Sequence, residues 1–319
     1  MNTLNASIPN HYNTSHDANR QAVIESLPVT ERRLEIAGLQ TAVLEGGSGP
    51  PVILLHGPGE SSLWWLQSIP RMVEYFRVIV PDLPGHGETS TEMDDDESIE
   101  TQVINWLDQL ISQTCDAPPV LIGHILGSSI AARYAIRHPD RFRELVLVDS
   151  LGLVKFRPTL GFAFNLIRFS IRPSRKNYYR FFSQCMHNYE ALPQKVGEPW
   201  EPLVEYYLSC QDKKRMAAMH TLMKHVGTPV IPPEELEKIQ KPVSLIWGRH
   251  DRANKVHIAE KASKRYGWPL FIIENCGDDP KLEQPEAFLK TVLELLQPET
   301  EYSTNYKHPD TKTELQPKS

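Results

Sequence analysis

Short apolar runs alternate with amphipathic segments along most of this chain, and that rhythm is the signature of a mostly parallel β-sheet covered by helices. Arg32–Ile36 and Thr41–Leu44 read as opening strands, and Val52–Leu55 runs into the loop His56-Gly57-Pro58-Gly59. A helix containing Trp64, Trp65 and Leu66 is expected next, then a strand Arg77–Val80 feeding the loop Asp82–Gly87. Val103–Ile111 has helical spacing. Val120–Ile122 reads as a buried strand, which Gly123-His124-Ile125-Leu126-Gly127 turns into a helix at Ser128–Arg137. Leu145–Val148 is a further strand, ended by Asp149. The rhythm then stops. From about 155 to 235 the segments are helical, aromatic-rich and strand-free, with prolines at 158, 173, 193, 199, 202, 229, 232 and 233. It resumes with strand Val243–Trp247, a helix near His257–Arg265, strand Leu270–Ile273 and a closing helix Pro285–Leu296. The expected fold class is α/β: a mostly parallel sheet flanked by helices, with an inserted helical lid.

The expected organisation is a core of residues 29–154 and 236–298, a lid of 155–235, and disordered ends at 1–28 and 299–319, which are polar and unpatterned. With 40% hydrophobic residues the chain can bury a sizeable core, and a net charge of −6 with no dominant basic tract gives no support for nucleic-acid binding. Cys115, Cys185, Cys210 and Cys276 lie far apart with no C-x-x-C pair, which reads as reduced thiols in a cytoplasmic protein. The polar N-terminus has no signal-peptide pattern and no stretch is long and apolar enough to span a membrane, so the sequons at Asn5 and Asn13 read as accidental.

Five ordered motifs carry a family resemblance. They are H-G-x-G at His56–Gly59, D-L-P-G-H-G at Asp82–Gly87, G-H-x-x-G at Gly123–Gly127, W-G-R-H-D at Trp247–Asp251, and C-G-x-x-P-x-x-E-Q-P-E-A-F from Cys276. In this register the chain resembles the α/β-hydrolase superfamily over about 29–298. The resemblance implies a serine nucleophile at the apex of a strained strand-to-helix elbow, and here the apex is Ile125, which has no lone pair to attack a carbonyl. It implies a histidine base in the last loop, and here that place falls on Asp278, whose ordinary pKa of ~3.9 makes it a poor base for a hydroxyl. It implies an oxyanion amide after His-Gly, and here Pro58 has none; Gly59 is the alternative donor, and the Leu126 amide remains. The family's acid survives as Asp251. Neither a cofactor nor a metal is implied.

Each residue also has a plainer role. Ser128 and Ser129 lie past the apex, where serines cap or pack rather than react. His56 and His86 are expected to bond backbone, and His124 and His250 to be structural. Asp251 and Asp278 would face each other across a small gap, raising one pKa. That pair either serves acid–base chemistry or is neutralised by Arg249 or Arg252. Asp279, before Pro280, reads as a turn residue. The basic and aromatic residues interleaved through 156–182 suit either a membrane-facing surface or a pocket wall whose arginines face water or an acidic ligand; the second reading is adopted. The pocket is expected at the carboxyl ends of the strands, formed by His56, Pro58, Gly59, Trp64, His124, Ile125 and Leu126 beside Asp251 and Asp278. The expected partner is a small apolar or mildly acidic molecule. Three functions follow: a non-hydrolytic binder, a lyase, cyclase or isomerase working through Asp251 and Asp278, and, least supported, a hydrolase with an unrecognised nucleophile.

Overall fold

A computed structural model describes residues 14–92 and 97–296. Its eight-stranded sheet comprises β1 (Thr30–Ile36), β2 (Leu39–Gly46), β3 (Pro51–Leu55), β4 (Arg77–Pro81), β5 (Val120–His124), β6 (Glu144–Val148), β7 (Val243–Gly248) and β8 (Leu270–Ile273). Their order is β1-β2-β4-β3-β5-β6-β7-β8. β1 pairs with β2, and β2 with β4, antiparallel; every later pairing is parallel. Ala37 and Gly38, both at positive φ, close the two-residue turn joining β1 and β2, as a right-twisted hairpin requires. β3, β5 and β7 are buried at every position because helices cover both faces of the sheet.

Side chains of each strand alternate between two cores. Val52, Leu54, Val120, Ile122, Val146 and Val148 join Trp64, Trp65 and Phe288 on one face. Ile53, Leu55, Leu121, Leu145, Leu147 and Leu245 join Trp106, Leu107 and Tyr134 on the other. The flanking helices are α1 (Thr14–Glu25), α2 (Ile69–Met72), α3 (Ile99–Thr114) and α4 (Leu126–Arg137). Between β6 and β7 come α5 (Leu160–Ile171), α6 (Arg175–Cys185), α7 (Leu192–Val196), α8 (Trp200–Ser209), α9 (Lys213–Leu222) and α10 (Pro233–Leu236), with no strand among them. α11 (His257–Tyr266), α12 (Pro280–Glu283) and α13 (Pro285–Leu296) complete the chain's described part. Side-chain caps start several helices: Thr159 accepts from the Phe162 amide of α5, Ser174 from Asn177 of α6, and Asp212 from Lys214 and Arg215 of α9.

Two expectations need correction. Residues 14–25, expected not to pack, form α1, with Val23 and Ile24 in the core. The physical reason is Arg20, which is buried yet fully engaged: it lies 3.1 Å from Asp82 and 2.7 Å from Glu31, and donates to the Tyr206 hydroxyl at 2.9 Å. A buried guanidinium with two carboxylates is a long-range anchor that hydropathy patterning does not display. The second correction is at Trp64–Leu66, where only a short 3₁₀ turn, Ser62–Trp65, forms. The sequons at Asn5 and Asn13 and the tail 299–319 lie outside the described residues. Among the described residues no helix is long and apolar enough to cross a membrane.

Candidate functional site

The chain turns sharply between β5 and α4, with Ile125 at the apex of the elbow. Ile125 sits at φ 47°, ψ −96°, directly before the first residue of α4. A β-branched residue at positive φ is strained, by about 1–3 kcal/mol. The neighbouring glycines explain how so sharp a turn fits. A Cβ at Gly123 would meet the Ser128 nitrogen at 2.4 Å, and one at Gly127 would meet the Leu55 carbonyl oxygen at 2.3 Å. Asp149, directly after the adjacent strand β6, also has positive φ, 44°. Leu126 opens α4, so its amide is among the helix donors with no intrahelical partner.

Ile125 forms part of the wall of a cavity of ≈ 270 Å³. Pro58 and Gly59 line it from the β3 loop, Asp278 and Asp279 from the last loop, and Phe156, Phe162, Phe169, Phe181 and Phe182 from the helical insertion. Of the residues expected here, then, Pro58, Gly59, Ile125 and Asp278 line the cavity. His56, Trp64, His124, Leu126 and Asp251 do not; they are buried behind it.

His56, Trp64, His124 and Asp251 each have a bonding role instead. His56 accepts from the Leu83 amide at Nε2 (3.0 Å) and donates from Nδ1 to the Gly57 carbonyl (2.8 Å), tying two loops together. His124 Nε2 donates to the Asp278 carbonyl at 2.6 Å. Its Nδ1 faces the Lys281 ammonium at 2.9 Å and so accepts, which fixes the tautomer. Trp64 donates its indole N–H to Asp279 at 2.6 Å. Ser128 bonds the Gly123 carbonyl and the Val148 amide, and Ser129 the Val226 carbonyl, so both serve backbone.

Lys281 is the residue that sequence reading missed most completely. It is fully buried, 2.8 Å from Asp279 and 3.6 Å from Glu60. Glu60, His124 and Asp279 bring ligand atoms within 4.8 Å of one another, a geometry that suits a cation. The positive charge there is the lysine's own. Burial pushes Glu60 up, but the Lys281 ammonium together with His124 and His56 outweighs this and holds it at about 2. Asp279, expected to be only a turn residue, is thus an ion-pair partner on the cavity wall. A Lys one residue past Pro280 gives no sequence signal, because nothing local says that it points inward.

The carboxylates behave differently. Asp251 Oδ1 accepts from the Ala253 and Asn254 amides, both at 2.7 Å. Burial nevertheless raises its pKa to about 7. Asp149 and Asp278 are held well above the ordinary carboxylate range, first by burial and then by the Asp251 charge. Asp149 and Asp251 act on one another's ionisation, and the Oδ2 of each is buried without a hydrogen-bond partner; two such carboxyl groups side by side cannot both ionise cheaply. The expected pair is therefore a trio. Asp149 was readable as a carboxylate ending a central parallel strand, the place where such sheets build sites. The expected neutralisation by arginine does not occur: Arg249 pairs with Glu274 at 2.6 Å, and Arg252 reaches the Ser183 carbonyl. Cys185, also on the cavity wall, is kept as a thiol by burial, with Asp278 adding to the effect.

Comparison with known proteins agrees with this architecture. The α/β hydrolase fold family model matches residues 50–285. A 2-hydroxy-6-oxo-6-(2′-aminophenyl)hexa-2,4-dienoic acid hydrolase of Metapseudomonas resinovorans is 26% identical over 83% of this chain and 90% of its own. A monoacylglycerol lipase of Xenopus laevis is 26% identical over 80% of this chain and 78% of its own. The crystal structure of a membrane phospholipase A superposes with a TM-score of 0.73 at 25% identity, covering 89% of this chain and 90% of that one. With the strand order, the elbow and the family match in agreement, the chain belongs to the α/β-hydrolase fold family.

Proposed function

We propose that this chain is a small-molecule-binding protein of the α/β-hydrolase fold that does not hydrolyse esters through a serine. The observation that carries the reading is Ile125 at the strained apex, on the wall of the same cavity as Asp278. The backbone that would present a nucleophile is kept, while an alkyl side chain stands where attack would start. The relatives named above are hydrolases, and in this reading the chain keeps their scaffold with its acyl chemistry removed. The helical insertion acts as the lid over the cavity, within the expected bounds 155–235, and the four free thiols suit a reducing compartment such as the cytoplasm.

The cavity's aromatic wall, with no arginine or lysine among the described residues that line it and with Glu60, Asp278 and Asp279 there, favours a neutral, mostly apolar ligand over an acidic one. Asp278, held protonated, donates its O–H to a carbonyl or hydroxyl oxygen of that ligand. One observation favours a second reading. Asp251 at about 7 and the protonated Asp278 form an acid–base couple behind and on the wall, suited to a lyase, cyclase or isomerase step.

The experiment is to incubate the purified protein with a small-molecule extract of its source cells and follow the mixture by mass spectrometry. A compound retained and released unchanged supports the binder. A compound converted by the protein, and not by Asp278→Ala, establishes the acid–base enzyme and overturns the first reading. Covalent labelling by a fluorophosphonate probe overturns both.

A further inference from the structure

Helix α5 is apolar on two opposite faces. Phe162, Leu166 and Phe169 point into the cavity. Leu160, Phe164, Ile167 and Ile171 are spaced by four, three and four residues, which sets them in one stripe within about 60° of arc. That stripe faces outward: the four side chains are 91%, 63%, 57% and 79% exposed. The solvent side of a helix ordinarily carries polar residues, and a contiguous row of large apolar ones marks a contact surface.

Charge says what kind of surface it meets. Between Asp149 and Glu190 there is no acidic residue, while Lys155, Arg157, Arg168, Arg172, Arg175, Lys176 and Arg180 all lie in that interval. Arg175 is engaged with Glu201 and Glu205. Lys155, Arg157, Arg168, Arg172 and Lys176 are exposed, and none of them is paired with a carboxylate among the described residues. An apolar stripe rimmed by unneutralised cations complements a layer that is apolar inside and anionic at its face. A second copy of this chain is a poor cover, since a two-fold contact would set the same cations against each other.

We propose that the outer face of α5 docks the protein on an anionic lipid bilayer. Leu160, Phe164, Ile167 and Ile171 enter the acyl boundary, and the flanking lysines and arginines meet headgroup phosphates. Docking is at the surface, since no described helix can span the bilayer. It sets the cavity one helix diameter, about 10 Å, from the acyl chains, because the inner face of α5 is a cavity wall.

The test is flotation of the full chain with vesicles of phosphatidylcholine alone or mixed with phosphatidylglycerol, a readout independent of whether the cavity binds or converts anything. The wild-type protein floats with the mixed vesicles, at least about tenfold more strongly than with phosphatidylcholine alone, and is released by high salt. Replacing Leu160, Phe164, Ile167 and Ile171 together by Ser weakens partitioning by about a hundredfold. Arg168→Gln, Arg172→Gln and Lys176→Gln each weaken it by about fivefold. All these positions are exposed, and unchanged circular dichroism confirms that each variant is folded. The proposal is overturned by a wild-type protein that ignores mixed vesicles, by equal binding to neutral ones, or by undiminished binding of the Ser variant. It is also overturned by a wild-type dimer that the Ser variant splits into monomers, which would make a second copy the cover.

Discussion

Replacing Asp251 by Asn should stabilise this protein at alkaline pH, although it removes the carboxylate that the resemblance aligns with the family's acid. Asp251 is 5% exposed and its pKa is raised from the ordinary 3.8 to about 7. A carboxyl group raised in the folded state contributes stability that is fully present below its unfolded pKa and lost as pH rises through its folded value. The window is therefore about pH 4 to pH 7, and the loss is on the order of 4 kcal/mol, roughly 3 of it between pH 5 and pH 8. An asparagine has nothing to ionise. Its carbonyl oxygen can still accept from the Ala253 and Asn254 amides, and its NH₂ can donate to Asp149. Removing the charge also relieves Asp149 and Asp278, which it pushes upward, so those terms have the same sign. Other groups titrate in this range. His56 and His86 are buried and lowered, His86 to about 3, and they destabilise the fold as pH falls. The measurement must therefore be a difference: urea unfolding of variant and wild type at pH 5 and pH 8. The variant should gain roughly 3 kcal/mol on the wild type between the two. A difference that does not change with pH, or that moves against the variant, would refute the idea that the trio is held together by protons.

Lys281→Met should cost about 3–5 kcal/mol in urea unfolding at neutral pH, because Glu60 and Asp279 are left buried without their cation. Glu60, held at about 2, contributes stability that is present above its unfolded pKa near 4.5 and lost as pH falls towards 2, so the variant's deficit should shrink in acid. Arg20→Met should cost a similar ~3–5 kcal/mol by orphaning Asp82, which is fully buried; wild-type stability would show that α1 is not anchored. Ile125→Ser alone should yield neither turnover of an activated ester nor an acyl adduct by intact-mass measurement, if Asp278 stands where the proposed reading puts the family's base; an adduct would contradict that reading of the loop.

Much of the architecture was legible because it is periodic. Strands buried on both faces are continuous apolar runs, so Val120, Val146 and Val243 announce a parallel sheet in the sequence alone. The elbow was legible for a different reason: Gly123 and Gly127 are required by backbone contacts closer than any Cβ allows, and they frame Ile125 unmistakably. That the apex residue is Ile125 is a statement about one side chain, and the sequence decides it without help.

Tertiary structure decided whatever depends on partners distant in the chain. Lys281 finds Glu60 and, 157 residues away, His124, and Arg20 finds Tyr206 at a separation of 186. No local pattern encodes such pairs, because their burial is affordable only after the loops converge. The upward shifts of Asp149, Asp251 and Asp278 arise from burial and, for Asp149 and Asp278, from the Asp251 charge, none of which is a property of residue type. Helix α5 shows the limit most plainly. It is apolar around most of its circumference, so its sequence carries no stripe to say that Phe162 faces the cavity and Phe164 faces outward. The fold alone assigns the two faces, by supplying a cavity on one side and nothing of its own on the other.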